Sequence, residues 1–289
     1  MKDNFTKHWI IENSIGVCSN YGKGILTLRA LHYQLVGLGM TNDIQHYKRV
    51  VNAMIEARWS NQIEFDTFSD LDRSMLGKTQ WEETNLNAKT DEAKEQVKLW
   101  MTSYRKNRWE NQDYYPEIFI EKKALQGVFS SICHEYEVSL GACKGYPSLT
   151  FLHEASIRFQ IAAENNKQPI IIYFGDYDPS GEDIPRSIQE NLKRFGVDVE
   201  VKRIALMKEQ VLEWNLPPAP AKETDTRNKK WDGLGQVELD AVKPEKLIRL
   251  CRSAIEEIFD RVKYSELIVT ETAEKIKFQK ALKTFVKKL

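Results

Sequence analysis

Apolar and polar positions along this chain follow two rhythms, and the switches between them mark out its elements. Ile170, Ile171, Ile172, Tyr173 and Phe174 form an unbroken apolar and aromatic run. Such a run suits a strand covered on both faces, as in a parallel sheet. It ends at Gly175, and Asp176, Tyr177, Asp178 and a Pro-Ser-Gly turn follow. Around it the pattern predicts a strand at 115–120 ending at Glu121, a helix over 124–136, a strand at 138–142 and a helix over 148–165. A helix over 184–195 and a strand at 199–205 follow the turn. Strands alternating with helices of this length predict a parallel α/β sheet.

The N-terminal part keeps a helical rhythm. Residues 24–38 carry apolar positions at helical spacing, with Thr27 as N-cap and Gly37 and Gly39 at the end. The polar link Thr41-Asn42-Asp43 leads to a second helix over 44–60, and the alternation at 62–66 reads as a strand. That is the order of a winged helix-turn-helix, whose second helix would enter the major groove led by His46, Tyr47, Lys48 and Arg49. A small helical bundle with polar outer faces has the same pattern.

The organisation expected is a winged-helix domain at 1–75, a helical connection at 76–112, the α/β domain at 113–240 and a helical basic region at 241–289. In the connection, residues 91–107 form an exposed helix. Residues 215–222 are Pro-rich and extended, residues 223–230 polar, and a helical region opens at Glu238. The tail at 271–289 reads as a basic amphipathic helix, open between surface packing, a DNA contact and dimerisation.

Composition adds exclusions. Lys plus Arg and Asp plus Glu both number 42, so overall charge gives no argument for nucleic acid. The basic residues gather at the ends: residues 1–60 carry seven against four acidic, and residues 241–289 twelve against seven. Cys18, Cys133, Cys143 and Cys251 form no C-x-x-C pair, which points to reduced thiols rather than a zinc framework. No signal peptide and no membrane span are visible, and a cytoplasmic protein is expected.

Candidate chemistry lies at the strand ends. In open α/β sheets ligands bind beyond the C-terminal ends of the strands. Glu121 and the Asp176/Asp178 pair all fall there, on strands spaced about 4.8 Å apart if adjacent. Together these carboxylates would repel one another, and a divalent cation with hard oxygen ligands resolves the repulsion. Glu238 and Asp240 are further candidate ligands, although acidic residues beside a helix start also serve as caps.

The segment from Ile118 to Ala124, I-F-I-E-K-K-A, resembles the first motif of a Toprim domain, and G-D-Y-D-P-S-G from Gly175 resembles its D-x-D motif. Between them C-K-G-Y-P, Cys143 to Pro147, is similar to a segment of the topoisomerase VI A subunit and the related meiotic double-strand-break transesterase. Arg29-Ala30-Leu31-His32-Tyr33 resembles the segment that carries the nucleophilic tyrosine in those enzymes. The resemblance covers roughly residues 24–205 and looks closest to compact stand-alone relatives of mobile elements, sometimes called Mini-A. Two positions depart from the family: Lys123 stands where an acidic residue follows E-K, and His32 replaces the aromatic neighbour of the tyrosine. The chain is also shorter than a full A subunit and carries no ATPase segment.

The resemblance implies Mg²⁺-dependent (or Mn²⁺-dependent) cleavage of double-stranded DNA by Tyr33. Arg29 would neutralise a phosphate oxygen, Glu121, Asp176 and Asp178 would bind metal, and Lys144 would join the DNA contacts. It further implies a homodimer, in which one protomer's tyrosine meets its partner's metal, and a separate ATPase subunit. Two alternatives stay open: a hydrolytic Toprim nuclease of the phage- or plasmid-defence type, with water as nucleophile, and a non-catalytic DNA-binding protein.

Overall fold

The computed structural model describes residues 4–68, 85–218 and 235–286. The chain is mixed α/β, built on one four-stranded parallel sheet. It divides into two compact units, Met1–Arg73 with Tyr115–Ile258, and Ser74–Tyr114 with Phe259–Leu289.

The first unit holds the sheet. Its strands are β1 (Tyr114–Ile120), β2 (Ser139–Ala142), β3 (Gln168–Phe174) and β4 (Glu200–Ala205), in the order β2-β1-β3-β4. The chain leaves β1 to one side for β2 and then crosses to β3 on the other, so the topological switch point lies between β1 and β3. The expected central strand is β3, buried from its second residue onward. Its side chains alternate between faces. Ile171 and Tyr173 join Phe119 of β1 in a cluster with α6 (Leu149–Glu164) and α7 (Pro179–Arg194). On the other face Phe174 meets Phe129 of α5 (Gln126–Tyr136), with ring centres 4.7 Å apart. There α9 (Pro244–Glu256) packs against α5 and β4. A short helix, α8 (Lys208–Glu213), follows β4.

The same unit contains three N-terminal helices, α1 (Lys7–Cys18), α2 (Leu28–Gly37) and α3 (Ile44–Trp59). They share one apolar cluster that includes Ile10, Leu31, Leu35, Val50 and Met54. Thr27 caps α2 as expected, its hydroxyl accepting the Ala30 amide at 2.9 Å. The strand expected at 62–66 is not formed. The amides of Gln62 and Ile63 bond back to the Ala57 carbonyl and close the end of α3, and Phe65–Thr67 is a single 3-10 turn. Ile63 is buried while Phe65 is 56% exposed, so the two do not share the common buried face that a half-buried strand requires. One bridge, Leu26 with Phe68, is the only pairing described next to that turn.

In the second unit α4 (Leu86–Thr102) packs with α10 (Arg261–Val286). Trp109 stacks edge-on with Phe259 at 5.2 Å, and Lys106 pairs with Glu110 and Glu274. The expected tail helix thus begins ten residues earlier than the sequence pattern suggested, at Arg261. Residues 69–75 of the expected N-terminal domain, residues 76–84 of the connection and residues 219–234, with the end of the Pro-rich stretch and the polar stretch, lie outside the described residues. All four cysteines are buried free thiols. Among the described residues no helix is long and apolar enough to cross a membrane.

Candidate metal centre and tyrosine helix

Glu121 follows β1 and Asp176 follows β3, so both stand at the switch point. Backbone geometry joins them. Glu121 donates its amide to the Phe174 carbonyl at 2.9 Å, and its carboxylate Oε2 accepts the Asp176 amide at 2.9 Å. Gly175 makes this approach possible, because a Cβ there would lie 2.5 Å from the Tyr173 hydroxyl and 2.8 Å from Glu121 Oε2.

Asp178 is the N-cap of α7, its Oδ1 accepting the Gly181 amide at 2.6 Å. The Pro-Ser-Gly segment is therefore the first turn of that helix rather than a separate turn, since Pro179 at the first position needs no hydrogen bond there. A Cβ on Gly181 would come within 2.2 Å of the Asp176 carbonyl, so α7 starts directly against the D-x-D backbone.

Tyr177 is buried between the two aspartates and pairs with Val237 in an antiparallel bridge, with N–H···O distances of 2.8 and 2.9 Å. That bridge brings Glu238 and Asp240 to the site, although they lie some sixty residues further along the chain. The Leu239 amide then bonds Asp176 Oδ1 at 2.7 Å.

At the centre sits the ammonium of Lys122. Its Nζ lies 3.0 Å from Asp176 Oδ2, 3.2 Å from Glu238 Oε2 and 3.0 Å from Asp240 Oδ2. Burial pulls this ammonium toward its neutral form, but the three carboxylates outweigh burial and hold its pKa well above the usual lysine value. Arg29 of α2 grips Glu238 with two bonds of 2.8 and 2.6 Å. The Thr27 hydroxyl donates to Asp240 Oδ1 at 3.2 Å. The Glu238 carboxyl is held below its usual range: burial works against this, but Lys122 and Arg29 prevail.

Asp176 responds differently. Burial and the neighbouring Glu121 charge push its carboxyl up to about 7, despite the pull of Lys122 and the Leu239 amide. Burial raises Glu121 as well, the Asp178 charge adding to it and the Asp176 amide opposing it.

Glu121, Asp176, Asp178 and Glu238 line one open cavity of about 810 Å³, with Lys123 and Lys144 on its wall. The donors are hard oxygens and suit Mg²⁺ or Mn²⁺. They share the cavity without converging: among the described residues no three Asp, Glu, His or Cys side chains form a ready-made metal site. Asp176 is drawn to Lys122, and Asp178 is engaged in its cap. Lys144 has a left-handed backbone, φ 57°, in the loop whose Tyr146 hydroxyl bonds Asp183 at 2.7 Å.

Tyr33 lies one turn along α2 from Arg29 and is 3% exposed. Its hydroxyl makes no hydrogen bond, although the Arg29 guanidinium stands 5.8 Å from the ring centre. Burial and the Glu238 charge push its pKa up to about 12, against the pull of Arg29 and Lys122. Its side chain borders a second cavity of about 1220 Å³ that also touches Trp214, Lys243, Lys246 and Arg249. Neither Lys122 nor that basic wall was singled out in the sequence.

The residues expected to lead α3 into DNA are mostly engaged elsewhere. His46 bonds Asp43, which caps α3, at 2.7 Å; Tyr47 lies under Arg29, 5.3 Å from its ring centre; and Arg49 donates to the Phe5 carbonyl. Lys48 is exposed. No protein-family model, no curated protein and no solved structure matches the chain.

Proposed function

We propose that this protein cleaves double-stranded DNA with a divalent metal ion, Mg²⁺ or Mn²⁺, bound by Glu121 and Asp178, with Asp176, the third expected ligand, paired to Lys122 beside them. On this reading α1–α3 form a tyrosine-bearing helix-turn-helix domain, without the strand expected at 62–66, and the sheet a Toprim domain, of the topoisomerase VI A type. It would act in the cytoplasm as a homodimer, with any ATPase on a separate subunit. The observation that carries the reading is the placement of those three carboxylates around one cavity at the β1/β3 switch point, with the Tyr33 helix tied to the same cluster through Arg29 and Glu238.

Held by Glu121 and Asp178, an ion would supply charge stabilisation at the scissile phosphate and the leaving oxygen. The chain's own residues do the rest. The Asp176 amide orients the Glu121 carboxylate, and the α7 cap fixes Asp178. The Lys123 and Lys144 side chains face the cavity that the phosphates would enter. Tyr33 Oη, once brought out of its buried position to the phosphate, would attack phosphorus as its proton passes to water; a phosphotyrosyl bond forms, the bond from phosphorus to the sugar oxygen breaks, and that oxygen takes up a proton. Arg29, turned from Glu238 to a non-bridging oxygen, neutralises its charge.

A second reading, in which water attacks and Tyr33 is a packing residue, is favoured by one observation: the Tyr33 hydroxyl is buried with a raised pKa.

Supercoiled plasmid incubated with Mg²⁺ or Mn²⁺ and then denatured with and without protease tests both. Metal-dependent cutting with protein covalently attached to the ends supports Tyr33. Metal-dependent cutting with identical products in both lanes supports water. Cutting that persists unchanged in excess EDTA overturns the metal reading itself.

A further inference from the structure

We infer that Lys122 is a built-in substitute for a second divalent ion, so that this site takes a single metal ion and uses the lysine to position the rest of the cluster. The inference rests on the metal reading given above.

The geometry is that of a cation site already filled. One ammonium nitrogen contacts carboxylate oxygens from three separate places in the chain, Asp176, Glu238 and Asp240, at 3.0 to 3.2 Å. Three donor hydrogens match three acceptors. The lysine is two-thirds or more buried, and its carboxylate partners more deeply so.

The remaining oxygens of those partners are used as well. Asp176 Oδ1 takes the Leu239 amide, Asp240 Oδ1 takes the Thr27 hydroxyl, and Glu238 takes both arms of Arg29. A metal ion could enter among these three carboxylates only by expelling Lys122.

Glu121 and Asp178 make no ion pair with Lys122; both are held by backbone amides and face the open cavity. Arg203 donates two bonds to the carbonyls of Asp176 and Leu206 and lies 3.9 Å from Glu182.

Charge matching agrees with the geometry. With all five carboxylates ionised, Lys122 and Arg29 offset two of them. One divalent ion at Glu121 and Asp178 then leaves a single negative charge, too little to hold a second such ion. Without Lys122 two negative charges would remain, and the vacated position between Asp176, Glu238 and Asp240 would offer hard oxygen ligands at a site of matching charge.

The lysine also acts at a distance. Asp240 and Glu238 are the two anchors of the α2 amino end, through Thr27 and Arg29. Lys122 thus fixes the helix that carries Tyr33.

Titration of the full chain with Mn²⁺, followed by the electron paramagnetic resonance of free Mn²⁺, tests this without reference to cleavage. Wild type should bind a single ion. Lys122→Met should bind a second, and thermal unfolding of that variant should shift upward with Mn²⁺ more than that of wild type. Lys122→Arg, which keeps the positive charge, should stay at one ion. Should Lys122→Met fold only when Mn²⁺ is present, that rescue is itself the expected result. Should it not fold at all, Lys122→Gln, which keeps amide donors without the charge, is expected to take the second ion.

Two ions bound by wild type would overturn the role of Lys122 and leave the metal reading intact. A single ion in Lys122→Met or Lys122→Gln, with no added response to Mn²⁺, would do the same. No Mn²⁺ bound by wild type would overturn both.

Discussion

Two sets of carboxylates gathered at one sheet edge of this protein are held in opposite ways. Asp176, Glu238 and Asp240 turn inward to Lys122 and Arg29, and their charges are spent on ion pairs. Glu121 and Asp178 are held by peptide amides, which orient a carboxylate without forming an ion pair with it, and they face an open cavity. The inner set works as a clamp between the sheet and the tyrosine helix. The outer set is the one able to meet a cation from solution. Adjacent acidic residues therefore divide into structural and ligand-facing groups according to whether a cation or a backbone dipole faces them.

The largest effect should come from breaking the inner set. Lys122→Ala removes the shared cation from three buried carboxylates, and losing one partner of a buried ion pair costs about 3–5 kcal/mol. A chemical-denaturation curve in EDTA should show a loss of that size. A loss under about 1 kcal/mol, the range of an exposed pair, would erase the distinction between the sets.

Next comes the outer set. Asp178→Ala removes the α7 cap and should cost about 1 kcal/mol, whereas Asp178→Asn keeps a capping oxygen and should leave stability almost unchanged. If both variants were equally destabilised, the cap would not be what holds Asp178.

Tyr33→Phe should change stability by less than about 1 kcal/mol, because the deleted hydroxyl has no partner to lose. A larger loss would reveal a hydrogen bond between this hydroxyl and the clamp.

The smallest effect concerns the other side of α2. His32 is 2% exposed, its ring nitrogens make no hydrogen bond, and burial holds its pKa below the usual 6.5. The unfolded chain therefore binds a proton that the folded chain resists. Stability from this residue is complete above the usual histidine pKa and falls as pH drops below about 6.5. In unfolding curves from about pH 7 to about pH 5, His32→Phe should flatten that decline. An unchanged slope would assign the acid sensitivity to the carboxylates instead.

Much of the sheet was legible in the sequence because a strand covered on both faces needs consecutive apolar residues, and Ile170 to Phe174 supplies them. The cap Thr27 was legible because a hydroxyl before an apolar helix bonds its free amides. The stretch at 62–66 misled because its alternation of Ile63 and Phe65 mimics a strand, while among the described residues no strand pairs with it to bury Phe65. α1 went unremarked because its apolar residues do not gather on one clear stripe.

At the site, placement of Glu121 and the aspartates at strand ends followed from the sheet alone. The role of Lys122 did not, since Asp240 lies 118 residues away and Glu238 lies 209 residues from Arg29. The Tyr177–Val237 bridge, a pairing of two short segments without strand-like patterning, brings them together.

The claim that cleavage depends on the outer carboxylates is tested most directly by plasmid cleavage in Mg²⁺ with Asp178→Asn beside wild type, since the substitution keeps the helix cap and removes the charge. The account predicts that wild type cuts and that Asp178→Asn, folded to the same stability, does not. Cutting by Asp178→Asn at the wild-type rate would contradict it.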